Sequence, residues 1–106
     1  MRSEAIVRAF ERQPLSKAET AAVRAIMNYP NSTSSELSEL CGWRGQFWNK
    51  CFGDMCKARE QTLEPAPPSR KRDAPFYSGL LAVCDRQTAR WSLKPEALDA
   101  FMRMGS

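Results

Sequence analysis

The stretch from Cys41 to Cys56, CGWRGQFWNKCFGDMC, leaves this chain the least freedom in how it can fold. An apolar face made by Leu37, Leu40 and Cys41 runs straight into Gly42. A second helical run begins at about residue 45, with Trp48, Cys51, Phe52 and Met55 recurring at helical spacing. Only the short link WRG separates the two, so the helices must cross against each other. Thr33 and Glu36 have the spacing of a capping box, in which each side chain satisfies a backbone N–H of the other residue. Gly42 is placed to take the left-handed conformation that closes the first helix. Gly53 sits inside the second, at a cost of about 1 kcal/mol against Ala, which points to close packing or close approach there.

The flanking segments are punctuated by proline. Ala5, Ile6, Ala9 and Phe10 form a helical stripe within residues 1–14, ended by Pro14. Ser16 and Glu19 form another capping-box pattern, followed by the stripe Ala22, Val23, Ile26 and Met27, and Pro30 stops that helix. Residues 62–75, TLEPAPPSRKRDAP, carry four prolines and three consecutive bases, the composition of an extended, solvated linker. Beyond it, FYSGLLAVC and ARWSLK read as two strands joined by the loop DRQT, spanning residues 76–94. In the second, Ala89, Trp91 and Leu93 alternate with Arg90, Ser92 and Lys94, so one face is buried. Pro95 and Glu96 suit the first turn of a last helix over residues 95–104. The expected fold is one domain, mainly α, with about five helices and a small two-stranded β-hairpin.

Within residues 34–53 the pattern resembles a helix-turn-helix. Such motifs need an apolar and then a small residue where the helices cross, here Leu37 and Ser38. They need an apolar residue, a glycine and another apolar residue around the turn, here Cys41, Gly42 and Trp43. Two further apolar positions on the second helix are met by Trp48 and Cys51. The passage ARWSLKPEALDAF resembles the strand-to-helix passage after the wing of winged-helix regulators. Together these cover roughly residues 16–104. The 62–75 linker is longer than such domains usually carry, and Gly45 and Gly53 are unusual in a recognition helix.

What the resemblance implies is double-stranded DNA binding by a small transcriptional regulator, with residues 45–60 in the major groove and the hairpin as a wing. With Trp48, Cys51, Phe52 and Met55 turned inward, Gln46, Asn49, Lys50, Gly53 and Lys57 lie on the outer face, and Arg44 stands just before the helix. Gln and Asn pair with adenine, and Lys reaches guanine or phosphate. Arg86 at the hairpin tip, Arg90 on its flank and the cluster Arg70, Lys71 and Arg72 supply further phosphate contacts. The net charge of +4 suits an anionic partner but does not demand one. Many such proteins act as dimers. A homodimer through Ile6, Ala9 and Phe10 is one use of the N-terminal helix, and covering its own core is the other. A protein partner is also compatible: residues 32–63 hold four basic and four acidic groups, which suits a winged-helix interaction module that reads no DNA.

Cys41, Cys51, Cys56 and Cys84 raise the alternative of a metal, cluster or redox sensor. The closest pair, Cys51 and Cys56, is five residues apart on one helix, and no histidine completes a mixed site, so structural thiols are the preferred reading. No cofactor is expected. Without histidine there is no Ser–His or Cys–His nucleophile system, and no glycine-rich phosphate loop follows a strand, so an enzyme is not expected. Asp73 and Asp85 stand in loops without a visible partner, and Trp43, Trp48 and Trp91 read as core anchors. The charged start and the absence of a long apolar run predict neither a secretory leader nor a membrane span. The expected location is the cytoplasm, with reduced thiols.

Overall fold

The computed structural model describes residues 2–63 and 76–105. The elements in chain order are α1 (Ser3–Arg12), α2 (Lys17–Asn28), β1 (Ser32–Thr33), α3 (Ser34–Leu40) and α4 (Phe47–Ala58). A 3-10 turn (Tyr77–Leu80) follows, then β2 (Ala82–Cys84), β3 (Arg90–Leu93) and α5 (Pro95–Arg103). The described residues form five helices and a small antiparallel sheet of three strands, in the order β1-β3-β2.

Both capping boxes form. Ser16 Oγ accepts from the Glu19 N–H while the Glu19 carboxylate accepts from the Ser16 N–H, and Thr33 and Glu36 do the same at α3. Each satisfies backbone donors that a helix start otherwise leaves bare. Gly42 adopts φ +77°, the left-handed conformation that ends α3. Pro95 occupies the first turn of α5, where its missing N–H costs nothing.

The sheet departs from the two-strand expectation. Residues 77–80 are a 3-10 turn, not strand, so β2 is only three residues long. A third strand, β1, pairs Ser32 with Trp91 and Thr33 with Arg90, while β2 pairs Ala82 with Leu93 and Cys84 with Trp91. Asn31 enters β1 at φ +62°, a conformation Asn tolerates, and its N–H reaches Trp91 O at 2.8 Å. Ala89 lies outside β3: it is exposed, at φ +58°, and closes the strand loop with an N–H bond to Asp85 O. Trp91 keeps the buried place expected of it.

The core runs through the middle of the molecule. Trp48 stacks on Phe52 with ring centroids 4.9 Å apart, and meets Trp91 edge-on at 5.4 Å. Leu37, Ile26, Val23, Met55 and Leu81 close around them. Ile6, Ala9 and Phe10 are buried within the chain itself, where α1 packs on α5 and Phe10 meets Phe101 at 5.2 Å. Ser3 Oγ donates to Glu96 O and joins the same two helices. Leu63 is also buried, and the Thr62 and Leu63 N–H groups bond back to Arg59 O. The folded part therefore reaches past the start of the expected linker, whose residues 64–75, with Arg70, Lys71, Arg72 and Asp73, lie outside the described residues. Among the described residues no helix is long and apolar enough to cross a membrane.

Gly53 faces the 3-10 turn: a Cβ there would stand 3.2 Å from Ser78 Oγ. Gly53→Ala is expected to change stability by less than about 1 kcal/mol, because the gain in helix propensity offsets a tight but yielding contact. Gly53→Val is expected to destabilise by about 1–3 kcal/mol through overpacking. Urea denaturation of the pair checks both.

Candidate functional site

The unit formed by α3, the turn and α4 is bolted together by polar contacts that the sequence pattern only hints at. Ser38 is fully buried, and its Oγ accepts from the Trp48 N–H at 2.9 Å, which satisfies a donor at the start of α4. Its carbonyl accepts from the Trp43 N–H at 2.8 Å, so the turn folds back on α3. The Trp48 indole N–H donates to Ala22 O at 3.0 Å and attaches the unit to α2. A small hydroxyl residue at position 38 is therefore both a close-crossing point and an α4 capping group.

These contacts set the rotation of α4. Its buried face is Trp48, Phe52, Met55 and Cys56, with Arg59 continuing it just beyond the helix, whereas Cys51 is only half-buried at the edge. This corrects the expected stripe. It also moves two residues of the expected outer face: Gly53 is turned toward Ser78, and Asn49 is half-buried. Arg44, Gln46, Lys50 and Lys57 remain exposed. Between them stands Phe47, 46% exposed and edge-on to half-buried Trp43, with centroids 5.1 Å apart. Trp43 is thus not the fully enclosed anchor expected of all three tryptophans.

Electrostatics further divide the basic residues. Lys50 Nζ lies 2.8 Å from Asp54, and that hydrogen bond raises the lysine pKa. Lys57 Nζ lies 5.7 Å from the Tyr77 ring centroid, which holds it toward the 3-10 turn. Arg90 donates to Asn31 O at 2.9 Å and reaches Glu36 at 3.3 Å, so it locks β3 to the start of α3. Arg90 thus stands on the hairpin's flank as expected, 40% exposed, and also joins β3 to the start of α3. Arg86 is exposed in the strand loop. Asp85 has partners after all: its Oδ1 accepts from the Gln87 and Thr88 N–H groups, and those bonds lower its pKa. The carboxylate shapes the loop that carries Arg86.

The cysteines differ in burial, with Cys56 enclosed and Cys41, Cys51 and Cys84 half-buried. Burial pushes the Cys56 thiol up to about 12, so it stays protonated at neutral pH and acts as a core residue. Burial also raises Cys41 and Cys51. Cys41 Sγ donates to Ala21 O at 3.5 Å, and Cys84 Sγ to Asp85 O at 3.8 Å. Among the described residues no group of three Cys, Asp or Glu is placed to hold a metal ion.

The most consequential residue missed by sequence reasoning is Arg59. Its side chain is 1% exposed and pairs with Glu19, with Nη2 to Oε1 at 2.9 Å. Phe47 was missed for a different reason: an aromatic on a mostly polar face invites no notice until its exposure is known. No protein-family model, no curated protein and no solved structure matches this chain.

Proposed function

We propose that α3 and α4 form a helix-turn-helix, that β2 and β3 form its wing, and that the chain is a double-stranded DNA-binding module of a transcriptional regulator, acting by binding and not by catalysis. The observation that carries this reading is the Ser38–Trp48 lock. It holds α4 by its inner face and leaves Arg44, Gln46, Phe47 and Lys50 exposed around its first turn. A three-stranded antiparallel sheet beside five helices is compatible with the winged layout. In this reading Gln46 pairs with adenine, Phe47 packs on a thymine methyl, and Arg44 and Lys50 reach guanine or phosphate. Lys57 and Arg86 contribute phosphate contacts, and Asn49 takes a secondary place.

Titration of a mixed-sequence labelled duplex across a salt series tests it. Four phosphate contacts, from Arg44, Lys50, Lys57 and Arg86, correspond to a slope of log K against log salt of about −3.5. Arg44→Ala is expected to reduce that slope by about one. Phe47→Ala is expected to cost preference among sequences while leaving the slope unchanged. Absence of binding at roughly 50 mM salt overturns the proposal.

A second reading, a winged-helix protein-interaction module, is favoured by one observation. Asp54 puts a carboxylate beside Lys50 on the exposed face of α4, where phosphate would approach. The same titration separates the two, because a module of that kind leaves the duplex unbound at every salt concentration.

A further inference from the structure

Tyr29 and Leu40 stand side by side in the surface as an apolar ridge, 54% and 49% exposed. The ridge forms one wall of each of two open grooves. The first runs along α2 and carries Lys17 and Arg24, seven residues apart on one helix face, hence about 10 Å apart along the axis. The second runs along α3 and carries Glu36 and Glu39. Lys17, Arg24 and Glu39 make no ion pair among the described residues, and Glu36 shares its carboxylate with Arg90. One side of the ridge is therefore basic, the other acidic, and the middle apolar.

We infer that this face binds a second copy of the same chain about a two-fold axis through the Tyr29–Leu40 ridge. In a two-fold interface a surface meets itself reversed, so it has to be self-complementary. Here the reversal lays the Lys17–Arg24 groove of one protomer on the Glu36–Glu39 groove of its partner, and ridge packs on ridge. An acidic peptide would match the basic groove but would leave Glu39 facing no cation. The N-terminal helix, whose apolar stripe is spent on its own core, is not needed for the contact. None of the six residues belongs to α4, so the dimer stands whether or not the protein reads DNA. The small extent of the ridge places the contact among weak, concentration-dependent interfaces.

Sedimentation velocity of the full chain without DNA, across a concentration series, tests the inference. The expected result is a monomer–dimer equilibrium that weakens as salt rises. Glu39→Lys and Arg24→Glu alone are each expected to weaken dimerisation about tenfold or more, since each change occurs twice in the interface. The combination of Arg24→Glu and Glu39→Lys is expected to restore it, which a merely destabilised protein would not do. Leu40→Asp is expected to leave a folded monomer, with folding checked by circular dichroism. A chain that stays monomeric throughout the series overturns the inference. So does a dimer that survives Leu40→Asp, or single charge changes without effect.

Discussion

Arg59→Met is expected to destabilise the protein by about 3–5 kcal/mol, the range for removing one partner of a buried ion pair. The guanidinium is enclosed and fully used. Nε donates to Gln13 O at 2.9 Å, Nη1 to Met55 O at 2.8 Å and to Glu19 Oε2 at 3.2 Å, and Nη2 to Pro14 O at 3.1 Å and to Glu19 Oε1. Its carbon lies 4.5 Å from the Phe10 ring centroid. One side chain thus ties the end of α4 to the α1–α2 connection and to Glu19, the partner of Ser16 in the capping box of α2. Methionine fills similar volume but leaves the buried Met55 carbonyl without this donor and takes partners from the part-buried Gln13 O, Pro14 O and Glu19 carboxylate, and a buried acceptor without a donor carries its own penalty. In thermal unfolding this corresponds to a fall in Tm of more than about 10 °C. A loss under about 1 kcal/mol in urea denaturation would show that water or the chain makes good the missing bonds.

The same contact has a pH signature. Burial alone raises the Glu19 pKa, but the Arg59 hydrogen bond, the Ser16 N–H bond and the Arg59 charge together lower it below its ordinary 4.5. A carboxylate with a depressed folded pKa contributes stability that is fully present above the ordinary value and is lost as pH falls through the folded one. The wild-type protein should therefore lose stability on acidification below about pH 4.5, and Arg59→Met should flatten that part of the curve.

Trp48→Ala carries the other large effect, about 3–5 kcal/mol, because it opens a cavity in a fully enclosed aromatic cluster. It removes the stacked partner of Phe52, the edge contact with Trp91 and the indole N–H bond to Ala22 O. Trp48→Phe keeps most of the ring volume and removes one hydrogen bond to a carbonyl that also belongs to the α2 ladder, so it should cost about 1 kcal/mol. Denaturation midpoints of the two variants separate packing from hydrogen bonding. Near-equal losses would assign the residue's whole importance to the indole N–H. Since Trp48 also fixes how α4 is turned, the folded Phe variant is the one in which to ask whether duplex affinity follows core geometry.

Sequence reasoning recovered features whose causes lie within a few residues. The Ser16–Glu19 and Thr33–Glu36 capping boxes, the Gly42 turn and the Pro95 helix start are each complete inside one helical turn, and all appear where spacing put them. Errors began where a partner lay far along the chain. β1 is two residues long and has no period of its own; it is a strand because Trp91 and Arg90 supply its ladder. Arg90 stays 40% exposed, but its bonds to Asn31 O and Glu36 join segments far apart in the chain, which no local pattern announces.

The rotation of α4 illustrates the boundary between the two kinds of information. A stripe of Trp48, Cys51, Phe52 and Met55 and a stripe of Trp48, Phe52, Met55 and Cys56 differ by roughly 30–40° about the axis, at about 100° per residue. Both are apolar, so periodicity accepts either. Ser38, Ala22 and Ser78 choose between them, since only one rotation satisfies the Trp48 N–H groups while Gly53 passes the 3-10 turn. That choice exposes Phe47 and half-buries Asn49. Helix starts and stops were legible in the residues alone, because short-range hydrogen bonds and backbone sterics set them. Which face of α4 meets solvent, and that a charged Arg59 belongs in the core, depended on donors and acceptors brought together from distant segments, because burial of a polar group is stable only when a particular partner is there to meet it.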